Sequence, residues 1–536
     1  METVIYNPLE AYETRLKDLH GANTEKFLKE LVQRSGVDIE KNRETVSQYN
    51  EYKENLSKLR KKLNWRRFWR VLMCISIVLI PVVILKITPK IKALKQEIAE
   101  ADKKAEELLA LAHDQMRPLN QLFTDKDALR LVESAMPLLH FDDHLTVKQE
   151  VDMKLNYDFG EYNADEQSTV DVLAGNYNEN PFIFENQLIH RMGLETYHGY
   201  KTIYWTERYR DSNGKMQTRT RSQTLHATVT KPKPFYSTQV VLIYCAQGGP
   251  DLSFSRDATH LEQKNERQIE RIVKRGERQL KRKSDKALRE NDDFVSMSNT
   301  DFEVLFDALD RTDEVQFRTL FTPLAQTNMV DLILSKTGYG DDFNFVKSKR
   351  TNRICSNHSQ GRRINLLPGN YISYSFDIIK ENFISKNKEY FKAVYFDFAP
   401  LLAIPLYQER PVHSLKPIPN MAQLHALKEC EALANALDRS YVVHPDTKTQ
   451  AILKSTFVRS SDNVDEACIT AYSYDMEPRV DIVTMRGNDG KLHNVPVNWD
   501  EYLPLEEQTH FYICADPYAE SKTVLARRNG LCIYNA

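Results

Sequence analysis

The 536-residue chain lacks the short motifs that mark common active sites. It has no GxSxG or HExxH, and no Gly-rich loop that ends in Lys-Ser or Lys-Thr. None of its seven cysteines forms a CxxC pair, so the sequence indicates neither a redox pair nor a zinc knuckle. Their scattered spacing favours free, mostly buried thiols. Because a catalytic triad is recognised by geometry and not by spacing, these absences do not exclude an enzyme.

The chain also has little net charge, −2 at pH 7, so its global charge names no partner. Hydrophobic residues make up 41% of the chain and charged residues 28%. This composition is typical of folded domains with charged helices and not of a disordered chain. The length is sufficient for about two to four domains.

Long hydrophobic runs are scarce, and the longest is the uncharged stretch Val71–Leu85. A helix over Phe68–Thr88 would rise about 31 Å, close to the roughly 30 Å hydrocarbon core of a bilayer. Its ends carry residue types that favour the membrane interface: Trp65, Trp69, Arg70 and Lys86. We therefore predict one transmembrane helix at 68–88, in contact with the lipid bilayer. A buried core helix is the alternative for a run of this length.

Lys and Arg are more frequent before this span than after it, eight in residues 51–70 against six in residues 86–105. The positive-inside rule then favours a cytoplasmic N-terminus, with the bulk of the chain on the other side. The cysteines, which lack disulfide-like spacing, favour a reducing compartment for the bulk instead. Because charge acts directly on insertion, we predict a single-pass membrane protein with a cytoplasmic N-terminus.

Helical patterns precede and follow the span. Residues 1–67 are predicted to form a helical region, and residues 89–117 a juxtamembrane helix. The second helix has an apolar seam at spacings of three and four: Ile91, Leu94, Ile98, Ala101, Ala105, Leu108 and Ala112. The seam predicts either a coiled coil through which copies of the chain self-associate, or an amphipathic helix that packs on its own domain.

Strand patterns dominate the rest of the chain and predict an α+β fold. We expect an α+β domain at 118–410 and a C-terminal helix plus β-rich domain at 420–536. The fold class is therefore a long helical arm with one transmembrane helix, followed by antiparallel, β-rich domains with inserted helices.

Two hairpins are the clearest strand signals. Asn213-Gly214 follows the β-branched and aromatic run Lys201–Arg210, and we expect the return strand to end at Pro232 and Pro234. The second hairpin turns at Gly487–Gly490. Between the two, residues 364–408 read as strands around a short helix, and Met421–Leu437 reads as an amphipathic helix.

Residues 261–290 form a basic helical insertion. From Lys264 to Arg289, eleven Lys or Arg stand against four Asp or Glu, a local net charge of 11 − 4 = +7. The residues predicted to contact an anionic surface, such as lipid headgroups, are Lys274, Arg275, Arg278, Lys281, Arg282 and Lys283. A solvated helical excursion is the alternative. Aromatic side chains that could stack on bases are absent, so nucleic acid is not an expected partner.

Three further clusters have residue types that could carry chemistry. The first is His140, Asp142, Asp143 and His144, which is either a metal site or an exposed acidic loop. Cys355 and His358 lie three residues apart, but a zinc site needs two more ligands. Gly338–Asp342 could form a turn that presents carboxylates. We therefore predict no metal and no cofactor, and we assign no catalytic residue.

Several stretches resemble an uncharacterised family of bacterial membrane proteins. They are Asn180–Phe184, the Trp205 hairpin with Thr220–Leu225, Pro250–Arg256, Phe302–Phe306 and Gln316–Leu324, together with the apolar span. Members of this family have one or two adjacent spans and a large α+β domain. The resemblance implies no assigned activity and no functional residues that could be carried over.

These observations favour non-catalytic binding or scaffolding at the membrane, with a protein or an envelope component as partner. A lipid or peptidoglycan sensor fits the same observations. The alternative is a membrane-anchored enzyme with an active site within 145–515. A buried cluster of ionisable groups in a concave pocket would favour the enzyme.

Overall fold

The computed structural model describes most of the chain. The described residues are 4–74, 88–160, 166–210, 212, 214–290, 294, 296–308, 310–411, 416–419, 421–461, 463–518 and 523–535. Two compact units are formed. Unit 1 comprises Leu9–Pro137 and Asn365–Tyr395, and unit 2 comprises Glu2–Pro8, Leu138–Ile364 and Phe396–Ala536.

The helices are numbered in chain order. They are α1 Pro8–Ala11, α2 Lys17–Ser35, α3 Ile39–Cys74, α4 Thr88–Asn120, α5 Asp127–Ala135, α6 Val147–Tyr157, α7 Glu266–Glu290, α8 Thr300–Phe306, α9 Glu314–Leu320, α10 Pro323–Leu334, α11 Phe376–Leu402 and α12 Leu427–Asn435. A single π-helical turn, Tyr12–Leu16, joins α1 to α2, and short 3₁₀ turns occur in unit 2.

The strands form two antiparallel sheets, both in unit 2. They are β1 Leu139–Phe141, β2 Gln167–Tyr177, β3 Asn180–Arg210, β4 Met216–Cys245, β5 Ser253–Arg256, β6 Phe343–Ser348, β7 Thr351–Ser356, β8 Ile452–Ser461, β9 Val464–Arg486, β10 Leu492–Ala515, β11 Ala526–Arg528 and β12 Leu531–Asn535. The seven-stranded sheet has the order β1-β2-β3-β4-β7-β6-β5, and the five-stranded sheet has the order β11-β12-β10-β9-β8. The α+β class and the antiparallel sheets are thus as predicted.

In unit 1, α3 and α4 pack side by side in opposite directions. The buried residues of this contact are Leu56, Leu59 and Leu63 of α3 with Ile91, Leu94, Ala101 and Ala105 of α4. Arg60 donates to Asp102 across the pair, with Nη2 2.8 Å from Oδ1. The seam predicted from the sequence is therefore occupied, within one chain, by α3. Self-association through residues 91–112 stays a prediction.

The predicted transmembrane helix at 68–88 is corrected by the structure. No helix among the described residues is long and apolar enough to cross a membrane. The described part of the apolar run, up to Cys74, ends a helix that is otherwise rich in Lys, Arg and Glu. Residues 75–87, including Lys86, lie outside the described residues. The single-pass location and the cytoplasmic N-terminus rested on this span and are corrected with it.

The assignment of Trp65, Trp69, Arg70 and Lys86 to a membrane interface stays a prediction. Trp65 and Trp69 are exposed on α3, and their rings pack edge to face with centroids 5.7 Å apart. Arg70 follows in the same helix and is half-buried. These aromatic rings therefore pack with one another along one helix.

In unit 2, α12 contacts both sheets. Ala432 is buried with Val172 and Ile183 of the seven-stranded sheet, while Leu433 is buried with Ile469 and Phe511 of the five-stranded sheet. Opposite faces of this short helix therefore close two hydrophobic cores, and its polar residues lie at the border between them.

Both sheets continue into two-stranded ribbons. β2 pairs with β3 only as far as Ile189, yet β3 and β4 remain paired up to Arg210 and Met216. We call this extension, His190–Arg210 with Met216–Ser237, ribbon 1. Similarly, β8 pairs with β9 only as far as Tyr472, while β9 and β10 remain paired up to their turn. We call Tyr474–Arg486 with Leu492–Pro504 ribbon 2.

Three local predictions are wrong, each for a physical reason. Pro232 and Pro234 do not end the return strand, because β4 pairs only with β3 at that level and prolines are tolerated where a strand has an open side. The helix predicted at 421–437 begins only at Leu427, since the Asp465 carboxylate binds the backbone N–H groups of Leu424 and His425. Residues 364–408 contain the long helix α11 and not strands around a short helix.

Candidate functional site

The two ribbons pack against each other through their inner faces. The buried residues at this contact are Ile203, Leu225, Ala227, Val495 and Val497. The backbones come so close that a Cβ atom at Gly199 would collide with the carbonyl oxygen of Pro496. A buried apolar contact of this kind makes the paired ribbons stiffer than an isolated hairpin, which is marginally stable in water.

Polar contacts at one edge fix the same arrangement. Lys231 of ribbon 1 lies 2.7 Å from the Asp481 carboxylate of ribbon 2. Its Nζ also lies 4.1 Å from the centroid of the Trp499 ring, and Trp499 donates its Nε1–H to Asp481 at 3.0 Å. The register of the two ribbons is therefore set by directional bonds as well as by burial.

The opposite side of ribbon 1 is exposed, and its central part has no Asp, Glu, Lys or Arg. Because side chains alternate along a strand, the even-numbered residues share this side, which we call the outer face. Its central members are Leu194, Thr196, His198, Tyr200, Thr202, Tyr204 and Thr206 of β3, with Thr218, Thr220, Ser222, Thr224, His226, Thr228 and Thr230 of β4. All fourteen are exposed, and none is Asp, Glu, Lys or Arg. Arg208, which pairs with Thr218, and Arg210 continue the same side toward the turn.

Side chains on the outer face are ordered by bonds to one another. The hydroxyl oxygens of Thr202 and Thr224 lie 3.1 Å apart across the strand pair. His198 Nδ1 and His226 Nε2 lie 2.9 Å apart, and the Tyr200 ring stacks on His226 with centroids 4.7 Å apart. Tyr200 and Tyr204 nevertheless keep 64% and 72% of their surface exposed. The face thus presents fixed aromatic and hydroxyl groups to solvent.

Ribbon 2 also exposes apolar residues away from ribbon 1. Val480, Ile482 and Leu492 are each more than half exposed. Isolated exposed apolar residues are ordinary, but contiguous ones on a stiff element mark interaction surfaces. Both outer sides of the paired ribbons therefore have the character of a binding surface.

A second candidate is a charged cavity in unit 2. Its volume is about 330 Å³. The ionisable residues that line it are Glu150 and Lys154 of α6, Glu185 of β3, Arg353 of β7, Lys428 and Glu431 of α12, and Lys454 of β8. We call it the charged cavity. No short motif joins these residues, because they come from five separate elements.

The carboxylates of the charged cavity are paired with ammonium groups. Lys428 Nζ lies 2.8 Å from Glu185 Oε1, and Lys454 Nζ lies 3.1 Å from Glu431 Oε1. Glu185 is 2% exposed, and its Oε1 also accepts from the Thr169 hydroxyl at 2.6 Å. Its second oxygen, Oε2, is buried and has no hydrogen-bond partner among the described residues.

Burial and pairing act in opposite directions on the pKa values in this cavity. Burial alone would raise the pKa of Glu185, but the charge and hydrogen bond of Lys428 outweigh it and lower the pKa. Burial alone would lower the pKa of Lys428, but Glu185 raises it. Both groups therefore stay ionised at neutral pH, in contrast to an acid or base poised for proton transfer.

A third cluster surrounds His358. Its Nδ1 lies 2.7 Å from Asp342 and its Nε2 lies 3.3 Å from Asp397. The Ser359 hydroxyl donates to Asp397, and Arg362 lies 3.0 Å from the same carboxylate. Two carboxylates and two cations thus neutralise one another in the interior. The cluster links the 338–342 turn to Asp397 of α11.

The possible metal ligands named from the sequence do not come together in the described part of the chain. Among those residues, no group of three or more His, Cys, Asp or Glu side chains could hold an ion. Asp142 accepts from Gln149 Nε2 at 2.5 Å. Cys355 accepts from Gln239 at 2.7 Å, whereas His358 binds the two aspartates. The two carboxylates of Gly338–Asp342 are buried, and Asp341 binds Arg256 while Asp342 binds His358.

The basic helix α7 is a single continuous helix. Leu280 and Ala287 are buried with Phe294, and a Cβ at Gly276 would collide with Val304. Five of the six predicted contact residues are exposed: Lys274, Arg275, Arg278, Lys281 and Arg282. The sixth, Lys283, is half-buried, with Nζ 4.0 Å from the centroid of the Phe294 ring. A glycine in mid-helix is thus explained by close packing, and the thin core face is as predicted.

Neither the outer face of ribbon 1 nor the charged cavity was predicted from the sequence. The outer face has a readable signal, since Thr, Ser or His recurs at every second position from Thr218 to Thr230. The charged cavity has none. Comparisons with family models, curated proteins and solved structures give no match. The resemblance to a bacterial family therefore stays a prediction.

Proposed function

We propose that this is a non-catalytic binding protein that recognises an uncharged protein surface through the outer face of ribbon 1. The observation that carries the proposal is the run of fourteen exposed, uncharged positions on one side of a stiff ribbon. Charged residues make up 28% of the whole chain, so the absence of Asp, Glu, Lys and Arg from these fourteen positions is a local property.

Physical chemistry favours this use of the face. Tyrosine gives a large contact area with little loss of side-chain freedom, and threonine hydroxyls add hydrogen bonds. Since Tyr200 and Tyr204 stand on a ribbon that a second ribbon supports, little ordering is needed on binding. An interface core of this kind also avoids the cost of burying an unpaired charge.

The chemistry of the outer face also indicates which groups the partner's surface presents. A charged partner surface would lose its hydration against this face without gaining a counterion. The expected partner therefore presents aromatic, aliphatic or hydroxyl groups. A charge introduced at the centre of the face should exclude it.

The test is site-specific photocrosslinking of the full-length protein in the cells that produce it. A photoreactive phenylalanine at Tyr204 should yield a defined protein adduct. The matched control is Val315 of α9, which is 74% exposed against 72% for Tyr204 but lies outside the ribbons. A second variant, Thr224→Glu, should abolish the adduct formed from position 204.

Three results would count against the proposal. One is the same set of adducts from positions 204 and 315. Another is an adduct from position 204 that persists in the Thr224→Glu variant. The third is the absence of any adduct at both Tyr200 and Tyr204.

One observation favours the enzyme as second candidate, because the charged cavity is a concave site with buried ionisable groups. Its acid–base pairs argue for binding over proton transfer, since both the pKa of Glu185 and that of Lys428 are displaced away from neutrality. Binding in the cavity is therefore the stronger expectation for this site.

A further inference from the structure

We infer that the charged cavity of unit 2 binds a small oxyanion, either a carboxylate or a phosphate. The inference rests on residues that the ribbons do not include, so it stands apart from the proposed function. Its basis is the balance of charge, the donors that remain on the lysines, and the size of the space.

The walls of the charged cavity carry more positive than negative charge. The cations are Lys154, Arg353, Lys428 and Lys454, and the anions are Glu150, Glu185 and Glu431. The sum is 4 − 3 = +1. Beside this concave, partly open space the excess creates an attractive potential for an anion, because the low-dielectric walls screen it less than bulk water would.

The ammonium group of Lys428 has donors left for a ligand. Of its three N–H groups, one is directed to Glu185 among the described residues. Lys454 uses two, to the carbonyl of Gln167 at 2.9 Å and to Glu431. The side chains of Lys428 and Lys454 are 23% and 21% exposed, so an oxygen-rich ligand that enters the cavity can reach their ammonium groups.

Size limits the class of ligand. A volume of about 330 Å³ lies at the lower end of the range for small-molecule sites, roughly 300–1,000 Å³. Phe159 and Tyr472 also line the space and offer apolar contact to a short carbon skeleton.

Glu185 supplies the internal test of this inference. Its carboxylate partly neutralises Lys428, so an anion must compete with it for the ammonium group. Glu185→Gln changes the net charge of the walls from +1 to +2 and should strengthen oxyanion binding. Lys428→Met and Lys454→Met should each weaken it. A gain of oxyanion affinity in Glu185→Gln and a loss in Lys428→Met would show that binding depends on charge, because a general loss of structure would lower the affinity in both variants.

The experiment is calorimetric titration of the full-length protein with inorganic phosphate and with succinate, at constant ionic strength. Phosphate-selective or succinate-selective binding identifies which oxyanion class the site takes. We expect at least a tenfold loss of affinity in Lys428→Met and a several-fold gain in Glu185→Gln. Lys491→Met, an exposed lysine of the same unit, is the matched control and should have no effect.

Folding of the variants is checked by thermal unfolding. Because Lys428→Met alone leaves Glu185 buried without a cation, the double variant Lys428→Met/Glu185→Gln keeps the pair uncharged and should fold while losing affinity. Failure of both oxyanions to bind the intact protein would overturn the inference. So would equal affinity in the intact protein and the double variant, or tighter binding of ethylenediammonium than of either oxyanion.

Discussion

Raising the pH should remove a charge that His358 carries inside unit 2, and with it part of the stability of that unit. The imidazole is 3% exposed and lies between Asp342 and Asp397. Burial alone would lower the pKa of His358, but the two aspartates outweigh burial and raise the pKa from 6.5 to about 9. The protonated form therefore stabilises the folded state.

The sign and size of the effect follow from linkage. A histidine whose folded pKa exceeds its unfolded value gives its full stabilisation below pH 6.5 and loses it as the pH rises through about 9. One pKa unit corresponds to about 1.4 kcal/mol, so the rise from 6.5 to about 9 corresponds to about 3 kcal/mol. This is a large part of the stability of a typical domain.

Native-state hydrogen exchange is the suitable assay, because a chain with two compact units need not unfold in one step. The intact protein should lose about 3 kcal/mol more protection in unit 2 between pH 6 and pH 10 than His358→Gln does. His140→Gln, at an exposed histidine of β1, is the control and should behave like the intact protein. An equal pH dependence of the intact protein and His358→Gln would refute this reasoning.

Two further predictions concern the ribbons and the basic helix. Gly199→Val should force the ribbons apart at Pro496 and destabilise their contact by about 1–3 kcal/mol. Proteolysis of ribbon 1 should then become faster than that of the rest of unit 2. An unchanged cleavage rate of ribbon 1 would contradict this prediction. Replacing Lys274, Arg275 and Arg278 by Gln should make the protein elute from heparin at lower salt. The same number of Gln substitutions at exposed lysines of α2 should have a smaller effect, and equal shifts would dismiss a specific role of α7.

The sequence made the hairpins predictable, since their signals are local. Gly490 adopts a left-handed conformation in the turn between β9 and β10, as the Gly487–Gly490 pattern indicated. The helical periodicity at 89–117 likewise marked α4. The periodicity did not predict the surface on which the seam of α4 packs, because a pattern of apolar residues does not specify its partner.

The apolar run at Val71–Leu85 misled the interpretation for a related reason. Hydropathy and flanking Trp and Arg are shared by membrane spans and by ordinary helices. No helix among the described residues has the length and apolarity of a span. The prediction of a transmembrane helix depended on this pattern.

The charged cavity was not predictable in the same way. Glu185 and Lys428 are separated by 243 positions and meet only because β3 and α12 are neighbours in the fold. Neither residue has a distinctive sequence context. The outer face of ribbon 1, by contrast, is visible in the alternation from Thr218 to Thr230, which lies within the return strand predicted from the sequence.

The proposed function requires that the outer face of ribbon 1 binds an uncharged protein surface. The most direct measurement is the affinity between the full-length protein and the partner that crosslinks to position 204, for the intact face and for Thr202→Glu. We predict at least a tenfold weaker complex with Thr202→Glu, and no change with Val315→Glu. Equal weakening by the two substitutions, or none by either, would contradict the claim.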